Sequence, residues 1–450
     1  MYTIATYYLV STIFSVYFLY YFITYRYNII VLIIGLKTIG FNHIVTMDTL
    51  DSENHSEKTQ NPVEDIVQVH EQKTIKSWDE FDLKEDLLRG IYNYGFEKPS
   101  DVQGKAIKPI IEGHDIIAQA QSGTGKTGTF SIATLQSINV ELKATQALII
   151  APTHELAKQI SSVVTHLGCY LDGLVVKTII GGSSIHDDTT SLKTNPPHII
   201  VGCAGRIYDM IRRNHLNTSH IKLFVLDEAD EMLSQGFKEQ IYNIFQYFNE
   251  TIQVALFSAT MPDEILTLTQ KFMRHPVKII MKKEDLNLEC IEQHFIALQD
   301  DRDKFSMLKN IFSIISLNQC IIYCNSVKRV VDLYGAMVEE GFSVCAIHSS
   351  MDKMERDQMF MKFRNGEFRV LISSNITARG IDVQQVSTVI NFDVPSCVHT
   401  YLHRIGRSGR WGRKGLALNF ITRADRNQLR FIENHYKINI TEFIPQTSTA

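Results

Sequence analysis

The chain has 450 residues, 44% of them hydrophobic and 21% charged, with a formal net charge of -4. This length exceeds one compact core and predicts two or three domains. The composition excludes a disordered chain, and the slightly acidic balance excludes nucleic-acid binding by bulk positive charge. The seven cysteines are scattered without a CxxC pair, so neither a disulfide scaffold nor a zinc site is expected.

Residues 1–46 are the unusual part of the sequence. Residues 1–25 contain no Asp, Glu, Lys or Arg, and about 20 apolar residues suffice for a membrane-spanning helix. If this segment is an anchor, Arg26 and Lys37 predict that the rest of the chain lies on the cytoplasmic side. The alternative, which we favour, is that translation begins at Met47. Residues 47–76 are polar and predict a flexible lead-in.

Short apolar runs alternate with longer helix-like patterns over the rest of the chain. Each run is nearly continuous in its apolar character, as parallel strands covered on both faces are. The eight runs of strand length are 115–118, 147–151, 198–201, 223–226, 253–257, 320–323, 369–372 and 388–391. The pattern predicts an α/β fold with parallel sheets flanked by helices, in two domains at 77–281 and 290–450 joined by a short hinge at 282–289.

The segment Ala120-Gln-Ser-Gly-Thr-Gly-Lys-Thr127 follows a predicted strand and precedes a predicted helix, which is the context of a phosphate-binding loop. Its backbone N–H groups and the positive end of the helix favour phosphate oxygens. Lys126 is expected to reach the β- and γ-phosphates, and the Thr127 hydroxyl to help hold Mg²⁺. The alternative is a turn without a ligand. The residues predicted to bind nucleotide in this loop are Gln121, Ser122, Gly123, Thr124, Gly125, Lys126 and Thr127.

Acidic residues follow the apolar run 223–226, in the segment Asp227-Glu-Ala-Asp230. Adjacent carboxylates at the end of a buried strand are costly unless a cation binds them. We expect Asp227 to hold Mg²⁺, partly through water, and Glu228 to orient and deprotonate an attacking water. The alternative is an ordinary acidic helix N-terminus, and the phosphate-binding loop makes it much less convincing.

With Asp-Glu-Ala-Asp and the other motifs in order, residues 76–445 resemble the DEAD-box ATP-dependent RNA helicases. That family has two tandem RecA-like domains. The segment 95–103 resembles its Q motif, in which a glutamine, here Gln103, recognises adenine. Trp78 stands where the family has an aromatic residue that packs near the base. The remaining motif matches are Gly181-Gly182, Ser258-Ala-Thr260, Ala378-Arg-Gly-Ile-Asp382 and His403-Arg-Ile-Gly-Arg-Ser-Gly-Arg410.

The resemblance implies that the second domain closes over ATP bound to the first. Arg407 and Arg410 would then reach the γ-phosphate as arginine fingers. The alternatives are a solvated basic patch or a simple contact with the phosphate backbone. Asp382 would contact the nucleotide from the second domain. The residues expected to couple hydrolysis to strand separation are Ser258, Thr260 and His403.

The family binds single-stranded RNA through its sugar–phosphate backbone, so binding would be independent of sequence and sensitive to salt. The residues that the resemblance assigns to RNA binding are Pro152, Thr153, Gly182, Arg206 and Ser374.

This sequence departs from the family pattern mainly on the RNA side. His154 replaces an arginine and is mostly neutral at pH 7. Cys203 and Ala204 replace threonine and proline, Ser349 replaces a glycine, and Met354 stands where a glutamine is usual. We therefore predict an intact ATP site with weakened RNA binding.

The function implied is RNA-stimulated ATP hydrolysis, with Mg²⁺, that separates RNA strands locally. An ATP-gated RNA clamp with slow turnover is an alternative, and a DNA helicase is a weaker one. Stretches between the motifs are similar to the initiation factor 4A branch and its exon-junction paralogue. This similarity implies partners of translation-initiation or exon-junction type and a cytoplasmic or nuclear location, with membrane attachment only if residues 1–46 are an anchor.

Overall fold

The computed structural model describes residues 74–121, 123–234, 236–280, 290–314, 318–377, 385–409 and 414–443. The segment 1–46, most of the polar lead-in and the hinge at 282–289 lie outside the described residues. Within the described ranges, no helix combines the length and apolar character needed to cross a membrane.

The first sheet is fully parallel and, among the described residues, has seven strands in the order β3-β4-β2-β5-β6-β1-β7. The strands are β1 (Ile116–Gln119), β2 (Ala147–Ile150), β3 (Val176–Ile179), β4 (Ile199–Gly202), β5 (Leu223–Asp227), β6 (Gln253–Ser258) and β7 (Val277–Ile280). We call this sheet and its helices lobe 1, described residues 74–280.

The second sheet is also fully parallel, with seven strands in the described ranges and the order β10-β11-β9-β12-β13-β8-β14. The strands are β8 (Ile291–Ala297), β9 (Gln319–Tyr323), β10 (Val344–Ile347), β11 (Val370–Ser373), β12 (Val386–Asn391), β13 (Gly415–Ile421) and β14 (Thr441–Glu442). This sheet and its helices form lobe 2, described residues 290–443.

Helices cover both faces of each sheet, so the central strands are buried on both sides. The helices of lobe 1 are α1 (Glu85–Asn93), α2 (Asp101–Ile111), α3 (Lys126–Ser137), α4 (His154–Leu167), α5 (Ile185–Thr194), α6 (Ala204–Arg212), α7 (Ala229–Ser234), α8 (Lys238–Phe245) and α9 (Asp263–Phe272). The helices of lobe 2 are α10 (Asp303–Ile314), α11 (Val327–Glu339), α12 (Lys353–Arg364), α13 (Val398–Ile405) and α14 (Arg426–Tyr436).

Polar caps set the starts of the helices that follow the strand ends. The Ser100 side chain accepts from the Gln103 N–H at the start of α2, and Thr153 and Ser326 cap α4 and α11 in the same way. Such caps satisfy N–H groups that lack partners within the helix. By contrast, Cys203 at the start of α6 makes no side-chain cap bond.

All eight predicted strands are present, within a residue or two at each end, and all eight are interior strands of the two sheets. The predicted α/β fold with two parallel sheets is confirmed. The edge strands β3, β7, β10 and β14 were not predicted. A lysine interrupts each of β3 and β7, and β14 has only two residues, whereas β10 is the apolar run Val-Cys-Ala-Ile. Prediction also failed for β8 and β13, whose polar residues, Glu292, Gln293 and Asn419 among them, interrupt the apolar run.

Candidate functional site

The phosphate-binding loop lies between β1 and α3 and depends on glycine. Gly123 and Gly125 have φ of 86° and 103°, a left-handed conformation that side-chain-bearing residues rarely adopt. A Cβ on Gly125 would lie 2.6 Å from Ser100 Oγ, and one on Gly128 would lie 2.6 Å from Gln103 Nε2. The loop therefore packs against the start of α2 too closely for larger residues.

Gln103 joins the two segments that line this part of the cleft. Its Oε1 accepts from the Ser100 N–H at 2.7 Å, and its Nε2 donates to the Gly125 carbonyl at 3.4 Å. The side chain is buried. Because an amide oxygen accepts two hydrogen bonds and an amide nitrogen donates two, one acceptor site and one donor hydrogen remain for a ligand.

Trp78, predicted to pack near a bound base, lies one layer behind the cleft wall. It is 1% exposed within the core of lobe 1, its Nε1 donates to the Phe96 carbonyl at 3.0 Å, and its ring stacks behind that of Phe96 at 6.4 Å. Phe96 and Tyr94 line the cleft instead. Trp78 therefore packs against an aromatic side chain that lines the cleft, and its part in nucleotide binding stays a prediction.

The two carboxylates after β5 are buried beside a lysine. Lys126 Nζ lies 3.3 Å from Glu228 Oε1, and Asp227 Oδ1 accepts from the Glu228 N–H at 3.0 Å. Burial, and then the neighbouring Glu228, raise the pKa of Asp227, while Lys126 opposes the shift. Glu228 has φ of 53°, a strained conformation for this residue type and one that clusters at functional sites.

This donor set fits Mg²⁺. Asp227 and Glu228 are adjacent buried carboxylates, and the buried Lys126 pairs with Glu228. Thr127 adds a hydroxyl to the same cleft. Mg²⁺ prefers hard oxygen ligands, and a cation would offset the burial and the repulsion from Glu228 that raise the Asp227 pKa.

Asp230, the last residue of the acidic motif, connects the two lobes. Its N–H donates to Ser258 Oγ at 3.3 Å, and its Oδ2 accepts from Thr260 Oγ1 at 2.7 Å. The same oxygen lies 3.2 Å from Nε2 of His403 in lobe 2. The structure thus brings together the three predicted coupling residues. The role of Asp230 as their common partner was not predicted, because the sequence shows only that Asp230 ends the acidic motif.

The cleft around these groups has a volume of about 400 Å³ and is lined by both lobes. Arg407 of lobe 2 is buried, lines the cleft and donates from Nε to the His403 carbonyl at 3.1 Å. Thr124 also lines it, and its hydroxyl donates to the Gln121 carbonyl at 2.8 Å. Of the predicted nucleotide-site residues, three lie outside the described residues: Ser122, Asp382 and Arg410.

A second groove, of about 620 Å³, runs between the lobes on the side predicted to bind RNA. Predicted residues Pro152, Thr153 and Ser374 line it. The other residues that line this groove are His154, Glu155, Asn325, Ser326, Val327, Ser349, Arg356, Asn375 and Ile376. Burial lowers the pKa of the His154 imidazole, so this position carries little positive charge at neutral pH.

Arg206, also predicted to bind RNA, is engaged within lobe 1. Its guanidinium lies 3.0 Å from Asp188 Oδ2 and donates to the Ser183 carbonyl at 3.0 Å. It therefore holds the turn that follows Gly181 and Gly182. A Cβ on Gly181 would lie 3.3 Å from His154 Nε2, so the paired glycines pack tightly beside the groove.

Arg404 was not predicted from the sequence, although it lies inside the motif that supplied His403 and Arg407. It is 0% exposed and donates to four uncharged oxygens. The acceptors are Oδ1 of Asn375, Asn391 and Asn325 and the carbonyl of Asp393, at 2.5–3.2 Å. Because Asn325 and Asn375 also line the groove, Arg404 connects α13 to the groove, while His403 of the same helix contacts Asp230.

Two sequence patterns of known families match the chain. One is described as DEAD/DEAH box helicase and matches residues 100–268, and the other is described as helicase conserved C-terminal domain and matches residues 303–412. Eukaryotic initiation factor 4A of Caenorhabditis elegans is 51% identical over 84% of this chain and 93% of its own length. The ATP-dependent RNA helicase eIF4A of Neurospora crassa is 51% identical over 82% of this chain and 93% of its own.

Solved structures agree with these relatives. S. cerevisiae Dbp5 bound to RNA and ADP BeF3 matches with a TM-score of 0.78 and 34% identity, over 83% of this chain and 96% of that one. Mss116p bound to ssRNA and AMP-PNP matches with a TM-score of 0.74 and 27% identity, over 82% and 79%. The predictions of fold class and family are confirmed, and the chain belongs to the DEAD/DEAH box helicase family.

Proposed function

We propose that this chain hydrolyses ATP to close and reopen its two lobes on single-stranded RNA, which separates RNA strands locally. As a member of its family it is an RNA-dependent ATPase and ATP-dependent RNA helicase. The observation that carries the proposed mechanism is that the cleft and the groove both lie at the boundary between the lobes. Arg407 of lobe 2 lines the cleft with Lys126 and Glu228 of lobe 1, and the groove lies beside Thr153.

ATP would bind in the cleft with its adenine near the wall formed by Phe96 and Tyr94. The acceptor and donor left on the Gln103 amide match the pair that adenine offers. The phosphates would lie on the loop from Gly123 to Thr127, at the N-terminus of α3, where backbone N–H groups and the helix dipole favour negative charge.

The buried Lys126–Glu228 ion pair indicates how binding of the ATP phosphates prepares the site for hydrolysis. When Lys126 turns to the phosphates, its ion pair with Glu228 is released, and Glu228 can accept a proton from the attacking water. Arg407 neutralises the charge that develops on the transferred group. Mg²⁺ held by Asp227 and Thr127 would supply further positive charge to the phosphate oxygens.

RNA would bind in the groove between the lobes through its backbone, at Pro152, Thr153, Gly182 and Ser374. Because two lobes form the groove, RNA binds well only when they are closed, and ATP favours the same closed state. Two ligands that favour one state must tighten each other's binding by the same factor.

A slow RNA clamp is a second candidate, and cross-lobe contacts favour it. His403 contacts Asp230, and Arg356 of lobe 2 lies 2.8 Å from Glu155 of lobe 1 in a largely buried ion pair. Such contacts stabilise the closed state independently of ligand. Multiple fast turnovers per RNA binding event would indicate the helicase, whereas an ATP–RNA complex that outlasts many turnover times would indicate the clamp.

The test of the chemistry is Glu228→Gln, which removes the base and preserves the size of the side chain. We expect RNA-stimulated turnover to fall at least about 100-fold, while RNA still binds in the presence of ATP. Glu250→Gln, on an exposed turn, is the matched control and should behave as wild type. Hydrolysis at the normal rate in Glu228→Gln would contradict the assignment of the base.

We also propose that the protein acts in the cytoplasm or nucleus with partners of the translation-initiation type. The support is the identity to initiation factor 4A relatives over most of the chain.

A further inference from the structure

Glu228, Asp230 and His403 bring together three atoms that can ligate a metal ion, at the boundary between the lobes. A carboxylate oxygen of each acidic residue and a ring nitrogen of the histidine all lie within 4.8 Å of one another, and all three side chains are buried. Lobe 1 supplies the two carboxylates and lobe 2 supplies the imidazole. In the part of the chain that the structure describes, no other three His, Cys, Asp or Glu side chains are close enough to share a metal ion.

The spacing and the chemistry of these atoms fit Zn²⁺ better than Mg²⁺. Asp230 Oδ2 and His403 Nε2 are 3.2 Å apart, and two ligands at about 2.0–2.1 Å from a tetrahedral Zn²⁺ are about 3.3 Å apart. The Glu228 oxygen would have to move by at most about 1.5 Å, which rotation of its side chain can supply. Zn²⁺ binds imidazole nitrogen as well as carboxylate oxygen, whereas Mg²⁺ prefers oxygen ligands alone.

ATP binding makes the surroundings of these atoms more favourable to a further cation. Three carboxylates, those of Asp227, Glu228 and Asp230, are buried here, and Lys126 pairs with Glu228 at 3.3 Å. When Lys126 turns to the phosphates, a positive charge leaves Glu228, and the phosphates add negative charge to the cleft. Closure brings His403 of lobe 2 to the carboxylates of lobe 1, so the three ligand atoms meet only in the closed state.

We propose that Zn²⁺ binds Glu228, Asp230 and His403 in the closed state and holds the two lobes together. The ion would replace the hydrogen that Asp230 and His403 share, and it would occupy the Glu228 carboxylate that we assign as the base. ATP and RNA would then stay bound while hydrolysis stops, so that Zn²⁺ acts as an inhibitor. This site is separate from the one for Mg²⁺, which uses Asp227 and Thr127. The inference rests on the proposed function, because the site needs ATP-dependent closure.

The test measures Zn²⁺ binding to the full chain by isothermal titration calorimetry, with excess Mg²⁺, a non-hydrolysable ATP analogue and a single-stranded oligouridine. We expect one tight Zn²⁺ site per chain, and binding at least about tenfold weaker when the analogue and the RNA are left out. His403→Gln, titrated at analogue and RNA concentrations that saturate it, should bind Zn²⁺ at least about 100-fold more weakly, because it loses a ligand and not only a side chain that supports one. The control, Cys169→Ser with Cys397→Ser, removes two exposed thiols and should bind Zn²⁺ as wild type does.

ATP turnover and RNA release give a second readout. Zn²⁺ should stop RNA-stimulated turnover and slow the release of the oligouridine, and a Zn²⁺-selective chelator should restore both. If His403→Gln binds Zn²⁺ as tightly as wild type, or if the cysteine control loses binding, the ion binds elsewhere and the inference is wrong. Equal binding with and without the analogue and the RNA would also contradict it. If the wild-type chain shows no ATP-dependent RNA binding in Mg²⁺ alone, the proposed function fails, and this inference fails with it.

Discussion

The contact between Asp230 and His403 offers the sharpest test of coupling between the lobes. Both side chains are almost fully buried, and the Asp230 carboxylate receives hydrogen bonds from Thr260 within lobe 1 and from His403 across the boundary. His403→Gln and Asp230→Asn, with the double variant, form a mutant cycle that isolates the cross-lobe bond.

The expected loss of activity follows from the free energy of the His403–Asp230 hydrogen bond. A hydrogen bond to a charged group contributes about 1.5–3 kcal/mol, and about 1.4 kcal/mol corresponds to a tenfold change in an equilibrium constant. Loss of the His403 bond should therefore reduce lobe closure, and RNA-stimulated hydrolysis with it, by about 10- to 150-fold. The Thr260 bond lies within lobe 1, so Asp230→Asn should also lower that lobe's thermal stability.

The assays are ATP turnover at subsaturating RNA and thermal unfolding of the ligand-free chain. His403→Gln should slow turnover without lowering the unfolding temperature of lobe 1, and the double variant should be little worse than Asp230→Asn alone. If the effects of the two single variants on turnover simply add, the residues act independently, and the proposed connection through Asp230 is wrong.

Two further variants change residues that line the groove, His154 and Asn375. His154→Arg should raise ATP-dependent RNA affinity about fivefold at 0.1 M salt by adding one phosphate contact, and fluorescence titration showing no gain would contradict the predicted weakness at this position. Asn375→Asp should stabilise lobe 2 by about 0.5–1 kcal/mol in denaturant unfolding, because it gives the buried Arg404 a carboxylate acceptor in place of an amide oxygen at an exposed position. Asn375→Leu is the comparison and should destabilise; a loss of stability in Asn375→Asp would show that Arg404 is already fully satisfied.

The sequence predicted the centre of each sheet better than its edges, for a physical reason. Central parallel strands such as 223–227 are covered on both faces, so nearly every residue is apolar and the run is conspicuous. β3 is an edge strand with the sequence Val-Lys-Thr-Ile and is only partly buried, which leaves little signal to detect.

The candidate site likewise combines residues that are adjacent in sequence with residues that only folding brings together. The loop ending at Lys126–Thr127 and the acidic motif after β5 were predictable because the residues that act together are adjacent in sequence. The burial of Trp78 behind Phe96 was not predictable, because an aromatic residue in a core and one on a cleft wall look alike in a sequence. The partnership of Lys353 with Gly181 joins residues 172 positions apart, so only the folded chain reveals it.

Helix α13 and the two residues after it carry three contacts within the segment 403–407. His403 faces the acidic motif of lobe 1, Arg404 holds the asparagines that line the groove, and Arg407 follows directly in the nucleotide cleft. A tilt of this segment therefore moves all three contacts together. A displacement of this segment at the cleft would therefore also displace the groove-lining asparagines that Arg404 holds.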